Sequence, residues 1–278
     1  MTAPLLLVGC GKMGGALLGG WLAGAGSGGA QRTIAIVEPG DGKAGFAGRP
    51  GVIAVDSADA LDPQFRPGVV VLAVKPQMMD DVLPALRRFA AVPGTVFLSI
   101  AAGKTATYFE TRLGDGGSKV AVIRAMPNTP AAVGRGITAA YANPQVTAAQ
   151  RAECDALLAA VGEVVWVDDE RLIAPVTALS GGGPAYVFLL IECLARAGAK
   201  AGLPADLAMR LARATVIGAG ELARQSSEPA SVLRQNVTSP GGTTQAALKV
   251  LMAETGGIAP LFDAAIAAAT VRAGELAE

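Results

Sequence analysis

The chain contains no histidine among its 278 residues. That absence removes histidine acid–base catalysis, Ser-His-Asp triads and histidine metal sites together. Cysteine is scarce as well. Cys10, Cys154 and Cys193 lie far apart and form no C-x-x-C pattern, so neither a disulfide framework nor a bound metal is expected. This usage fits a reducing compartment, and a cytoplasmic location is the expectation. Neither sign of charge is in excess: Lys+Arg and Asp+Glu both number 23. No basic footprint therefore points to nucleic acid or to a membrane surface. No unbroken run of 18 or more apolar residues occurs, so no transmembrane helix is expected. Aromatics make up only 4% of the chain while hydrophobic residues make up 51%. The core must therefore be built from small aliphatic side chains, which let helices and strands approach closely.

What is present is most informative near the start. The apolar run Leu5–Val8 leads directly into Gly9-Cys10-Gly11-Lys12-Met13-Gly14 and then into a helical stretch. This is a G-x-G-x-x-G turn between a strand and a helix. Gly9 allows the sharp turn, Gly11 lets a diphosphate approach the backbone, and Gly14 lets the helix pack close to the strand. The helix N-terminus offers unpaired N–H groups to the phosphates, so Gly9, Gly11, Lys12, Met13 and Gly14 are the expected diphosphate contacts.

The first half alternates strands and helices. Strands are predicted at Leu5–Val8, Thr33–Glu38, Val52–Ala54, Val69–Val74, Thr95–Ile100 and Val120–Ala125, with helices at Met13–Ala23 and Met78–Phe89. A loop, Gly24–Ala30, precedes the second strand. Repeated βα units imply a doubly wound parallel sheet of Rossmann type. Ile137–Tyr141 and Glu163–Trp166 read as later strands of antiparallel character flanking a helix at Ala148–Val161. Beyond residue 167 strand-like runs vanish. Ile173–Leu179, Pro184–Ala199, Pro204–Ser226, Ser231–Val237, Thr243–Ala253 and Ile258–Leu276 all read as helices. Several are apolar on more than one face, which argues for burial in a subunit interface. The predicted architecture is α/β: a dinucleotide-binding domain at 1–167, followed by an all-α substrate-binding and dimerisation domain at 168–278.

The second strand ends at Glu38, where an acid bonds the ribose 2′-hydroxyl of NAD and repels the 2′-phosphate of NADP. Glu38 tilts the expectation towards NADH. The plainer account is a surface carboxylate at a strand end, and the nearby cations Lys43 and Arg49 keep NADPH open. The strand carboxyl ends at Ala73-Val74-Lys75-Pro76 and at Ala101-Ala102 should border the cofactor, the latter with small residues suited to the nicotinamide. Lys75 reads equally as a solvated loop cation.

Two further segments are more specific: Arg124-Ala125-Met126-Pro127-Asn128-Thr129-Pro130, and Asn236-Val237-Thr238-Ser239-Pro240-Gly241-Gly242-Thr243-Thr244. With Gly9–Gly14, Ala73–Pro76 and Ser180-Gly181-Gly182-Gly183-Pro184-Ala185-Tyr186, they resemble the pyrroline-5-carboxylate reductases, in order and spacing from residue 5 to about 276. The resemblance implies reduction of L-1-pyrroline-5-carboxylate to L-proline with NADPH or NADH. It also implies a homodimer interlocked through its helical domains, with a decamer as the larger assembly. By the same resemblance Ser239 and the amides of Gly242 and Thr243 hold the substrate carboxylate, and Thr244 is the catalytic hydroxyl placed against the ring nitrogen. Glu170 is an acid near the active site, and Asn236 and Asn128 lie beside the nicotinamide. Independently of the family, Ser239–Thr244 is a glycine turn opening a helix, which forms an anion pocket without an arginine. An ordinary N-cap is the simpler account of the same residues. For Glu170 it is a solvated helix-start charge, and for Asn128 a turn before Pro130. One departure stands out: the family commonly carries Ser where this chain has Gly182.

Three other readings share the fold. A β-hydroxyacid dehydrogenase needs a lysine on the first long helix after the sheet, and none occurs between Lys119 and Lys200. A reductase of a related cyclic imino acid, and a non-catalytic dinucleotide sensor, remain as alternatives.

Overall fold

The computed structural model describes residues 3–24, 32–114 and 119–277. Of the loop expected at Gly24–Ala30, all but Gly24 lies outside the described residues. Among the described residues eight strands form one sheet: β1 Leu5–Val8, β2 Ile34–Val37, β3 Val52–Val55, β4 Val69–Leu72, β5 Val96–Ser99, β6 Ala121–Met126, β7 Gly136–Ala142 and β8 Gly162–Trp166. Their order is β3-β2-β1-β4-β5-β6-β7-β8. The first six run parallel, β7 pairs antiparallel with β6, and β8 runs parallel to β7. The order reverses between β1 and β4, which creates the crevice where such sheets bind ligands.

The helices are α1 Lys12–Leu22, α2 Met79–Ala90, α3 Ala106–Leu113, α4 Ala148–Ala159, α5 Ile173–Val176, α6 Gly183–Lys200, α7 Ala205–Gln225, α8 Ala230–Asn236, α9 Thr243–Leu251 and α10 Ile258–Glu275. A π-helical turn, Thr177–Gly181, follows α5. The sequence reading has no counterpart to α3, although Thr105 caps it by accepting from the Tyr108 amide at 3.1 Å.

Period-two alternation splits the sheet side chains into two cores. Leu5, Leu7, Ile34, Ile36, Val69, Val71, Val96 and Leu98 face one way and pack with Leu17, Leu18 and Trp21 of α1 and Leu157 and Leu158 of α4. Leu6, Val8, Val70, Leu72, Phe97 and Val122 face the other way and pack with Leu83, Leu86 and Phe89 of α2 and Phe109 of α3. Burial on both faces explains why β1, β2, β4 and β5 read as nearly continuous apolar runs. The Trp21 indole N–H donates to the Leu157 carbonyl at 2.8 Å and ties α1 to α4.

By compactness the chain divides into Met1–Gly181 with Ala269–Glu278, and Gly182–Ala268. The sequence-based division at 167/168 follows secondary-structure type instead. Within the second unit the buried hydrophobic residues are three alanines, Ala195, Ala208 and Ala212. They form the seam of the α6–α7 hairpin, where a Cβ on Gly198 would sit 3.3 Å from Ala208. Large apolar side chains of the unit stay exposed, among them Phe188 of α6 (60%), Ile217 of α7 (65%) and Leu261 of α10 (65%).

Within the helical stretch Glu170–Lys200 an 18-residue window has a mean hydropathy of 1.5, with 11% of that window buried; among the described residues this is one helix long and apolar enough to cross a membrane by length and composition alone. The stretch holds no unbroken apolar run of 18 residues, since Ser180–Gly183 and Glu192 interrupt it.

Phe97 is fully buried at the centre of the second core. Phe97→Ala should cost about 3–5 kcal/mol, read as a lowered midpoint in urea denaturation with an unchanged slope.

Candidate active site

The turn after β1 is set by backbone contact. Gly9 has φ +92°, and a Cβ there would lie 2.8 Å from the Ala73 carbonyl carbon and oxygen and from Val74 Cγ1. A Cβ on Gly14 would overlap the Gly9 carbonyl oxygen, whereas one on Gly11 would meet nothing within 4 Å. Gly9 and Gly14 therefore serve packing, and Gly11 leaves an open approach to the α1 N-terminus. Gly11 caps that helix without a side-chain hydrogen bond, which leaves its first amides to a ligand. Lys12 is exposed and Met13 half-buried beside them.

The Glu38 carboxylate is fixed from two sides. One oxygen accepts from the Cys10 amide at 2.8 Å and the other from the Gly40 amide at 2.9 Å. Each carboxylate oxygen keeps further acceptor capacity. Burial, with Glu38 nearby, raises the Cys10 thiol pKa, so this cysteine stays protonated and unreactive in the phosphate turn. A cleft of about 440 Å³ runs from Gly9 and Gly11 past Glu38 to Asp56–Asp59, with Ala73, Val74 and Lys75 along one side and Val82, Ala85 and Leu86 of α2 behind. Pro76 continues from Lys75 as the first residue of a short 3₁₀ turn. The cradle that a Cβ would fill, the free helix N-terminus and the fixed acid all suit a nicotinamide dinucleotide. The sequence reading missed Asp56, Ser57, Asp59 and α2 as lining residues. The available signal was position, because Asp56 follows the carboxyl end of β3 just as Glu38 follows that of β2.

Ala101 is buried and Ala102 half-buried after β5. Gly103, at φ +76°, packs on the Leu276 backbone. Asn128 is 9% exposed. Its side-chain oxygen accepts from the Ile137 amide at 2.9 Å, and its amide nitrogen donates to the Ser180 carbonyl at 3.3 Å. It thus joins the end of β6 to β7 and to the π-helical turn, with both polar ends engaged by protein.

Glu170 is not a solvated helix-start charge. Its Oε1 accepts from Arg124 Nη1 at 2.6 Å and from the Ala106 amide at 2.7 Å. Arg124 is 6% exposed. The carboxylate therefore neutralises a buried guanidinium in β6 and caps the start of α3. This pair lines a second cleft of about 330 Å³ with Thr105, Thr177 and Gly274. Burial and the carboxylates of Glu170, Glu110 and Asp169 raise the Tyr141 pKa.

In the second unit, Gly241 turns the chain at φ +71°, and the Gly242 amide donates to the Ser239 carbonyl at 3.0 Å. Gln245 folds back so that its Oε1 accepts from the Gly241 amide at 2.7 Å. No side chain caps α9. The first-turn amides of Thr243 and Thr244 therefore lack an intrahelical partner, whereas the Gly242 amide is spent on closing the turn. Ser239, Thr243 and Thr244 are exposed together at this helix start, and Asn236 is exposed at the end of α8.

A family model for pyrroline-5-carboxylate reductase dimerisation matches residues 170–276, and one for NADP oxidoreductase, coenzyme F420-dependent, matches residues 5–103. The pyrroline-5-carboxylate reductase of Pseudomonas aeruginosa is 42% identical over 100% of this chain and 98% of its own length. A solved pyrroline-5-carboxylate reductase from Coxiella burnetii superposes with a TM-score of 0.88 at 36% identity, covering 100% of both chains. The Plasmodium falciparum pyrroline carboxylate reductase, solved with NADP bound, superposes with a TM-score of 0.80 at 27% identity, covering 99% of this chain and 98% of its own.

Breaking the Arg124–Glu170 pair strands a buried charge and leaves the Ala106 amide at the start of α3 without its acceptor. Glu170→Ala should lower stability by about 3 kcal/mol, measured by chemical denaturation, with partial recovery when Arg124→Met is added. Unchanged stability with a raised substrate KM would instead make Glu170 a substrate contact.

Proposed function

The chain belongs to the pyrroline-5-carboxylate reductase family, and we propose from that premise how its residues divide the work. It is an NAD(P)H-dependent oxidoreductase that reduces L-1-pyrroline-5-carboxylate to L-proline, the last step of proline biosynthesis. The bound dinucleotide supplies the hydride to the ring C=N carbon.

Gly9, Gly11 and Gly14 shape the diphosphate cradle, with Lys12 and Met13 at the helix start. Ala73–Pro76 and Ala101–Ala102 flank the cofactor, and Asn128 holds the backbone beside the nicotinamide. Asn236 is assigned to the cofactor by the family resemblance. The substrate carboxylate binds the Ser239 hydroxyl and the free amides at the start of α9. Gly242 contributes the turn that exposes those amides. The observation that carries this assignment is the uncapped α9 N-terminus behind a left-handed glycine. Such a turn holds an anion with backbone dipoles and needs no arginine. The Thr244 hydroxyl meets the ring nitrogen and guides its proton. Reduction of a protonated imine needs alignment more than a strong side-chain acid, so a chain without histidine is equipped for it. Glu170 acts through Arg124 and α3.

The preferred cofactor in this reading is NADH. Glu38, held by the Cys10 and Gly40 amides, faces the cleft as a fixed negative charge. A ribose 2′-hydroxyl donates to such a group, and a 2′-phosphate is repelled.

The chain self-associates through its helical half. The finer assignment is a homodimer in which the exposed faces of α6, α7 and α10 cover one another. A unit whose buried hydrophobic residues are three alanines supports this, because it has little core of its own.

Thr244→Ala should lower kcat about tenfold or more, while dinucleotide affinity stays within about twofold of the parent. Steady-state kinetics with L-1-pyrroline-5-carboxylate, paired with a dinucleotide binding titration, checks both. Unchanged kcat would remove Thr244 from the mechanism.

A further inference from the structure

The cofactor cleft holds more acid than one ribose contact requires. Glu38, Asp56, Asp59 and Asp81 line it, with Lys75 the only cation among the lining residues. A 2′-phosphate needs cations beside it, since it carries close to two negative charges. Two basic side chains lie on the segment after β2, where such a cation would be supplied. Arg49 is exposed and lies over the Phe46 ring, its guanidinium carbon 5.5 Å from the centroid, and its guanidinium meets no carboxylate or carbonyl among the described residues. Lys43 is held on two sides. Its ammonium donates to the Glu38 carbonyl oxygen at 2.5 Å and pairs with the Asp56 carboxylate. The Lys43 side chain is 21% exposed, and Lys43 does not line the cleft, whereas Asp56 does.

The path of this segment is also fixed. A Cβ on Gly42 would overlap the Cys10 carbonyl oxygen, so the loop carrying Lys43 lies directly on the phosphate turn. The segment thus contains the cation that a 2′-phosphate would recruit, and spends it on a carboxylate and a backbone carbonyl.

We propose that Asp56 is a specificity-determining residue of the cofactor cleft, which withdraws Lys43 from the position a ribose 2′-phosphate would occupy. Glu38 and Asp56 then act differently on the same choice. Glu38 presents an acceptor to the 2′-hydroxyl, and Asp56 removes the counter-charge that a 2′-phosphate needs. The inference rests on the NADH reading above and extends it to a residue and a mechanism that the acid at the end of β2 does not supply.

The test uses binding without turnover. NAD⁺ and NADP⁺ are titrated calorimetrically, at one fixed ionic strength, into the full-length parent, D56N, K43M and the D56N/K43M double variant. Asp56 is exposed, and thermal melts of each variant establish that it is folded. The ratio of NADP⁺ to NAD⁺ affinity should rise about tenfold in D56N, the gain of one charge-assisted phosphate contact. The same substitution made on the K43M background should change the ratio by no more than about threefold, the residue of a screened surface charge. An equal gain with and without Lys43 would overturn the proposal and leave Asp56 acting through its own charge. No gain in D56N would overturn it outright. The NADH reading is judged separately, from the parent alone: a parent that binds NADP⁺ more tightly contradicts that reading, whatever the variants do.

Discussion

The structure depends on one close approach, that of the Gly9 backbone to the ends of β4 and α1. The Gly9 carbonyl oxygen lies where a Gly14 side chain would begin, and the Ala73 carbonyl lies where a Gly9 side chain would begin. These contacts lock the first turn of α1 at the point where the strand order reverses. The helix N-terminus, the Glu38 carboxylate and the carboxyl end of β4 consequently border one cleft. The next strand inherits the arrangement, because Glu38 reaches back to the Cys10 amide inside the same turn. A fixed acid and free helix amides are then properties of backbone packing rather than of flexible side chains. Binding into such a preorganised cradle costs less ordering entropy than binding to mobile groups.

The two compact units solve different physical problems. The sheet unit has a core on each face and completes itself. The helical unit buries an alanine seam and leaves Phe188, Ile217 and Leu261 exposed, a surface suited to a second copy of the chain. The stretch Glu170–Lys200 contains an 18-residue window that resembles a membrane span by composition. Apolar side chains on several helix faces are also what a dimerisation region carries.

Much of this was legible in the sequence, and the legible parts share a cause. Strands such as Leu5–Val8 and Val69–Leu72 are read within a residue or two because burial on both faces makes them apolar throughout. The glycine turn is legible because its spacing states a steric need. The α3 helix was not, since Ala106–Leu113 mixes Tyr, Glu, Thr and Arg and lacks a wide apolar stripe; only the Thr105 cap announced it. The Arg124–Glu170 pair was hidden because its partners are 46 positions apart and meet only when β6, α3 and the segment after β8 assemble. The clamp role of Asn128 was hidden for the same reason, since Ile137 and Ser180 reach it from separate elements. Gly242 shows the opposite limit. A motif gives the residue types at a helix start, but the Gly242 amide is consumed by the Ser239 carbonyl only once the turn has closed.

The most direct measurement is the steady-state oxidation of NADH and of NADPH, in parallel, with L-1-pyrroline-5-carboxylate and direct identification of the product. The account predicts L-proline as the product with both cofactors, and a higher kcat/KM with NADH. Tight dinucleotide binding without proline formation would contradict the assignment of the α9 turn as the substrate site. A clear advantage for NADPH would contradict the role given to Glu38.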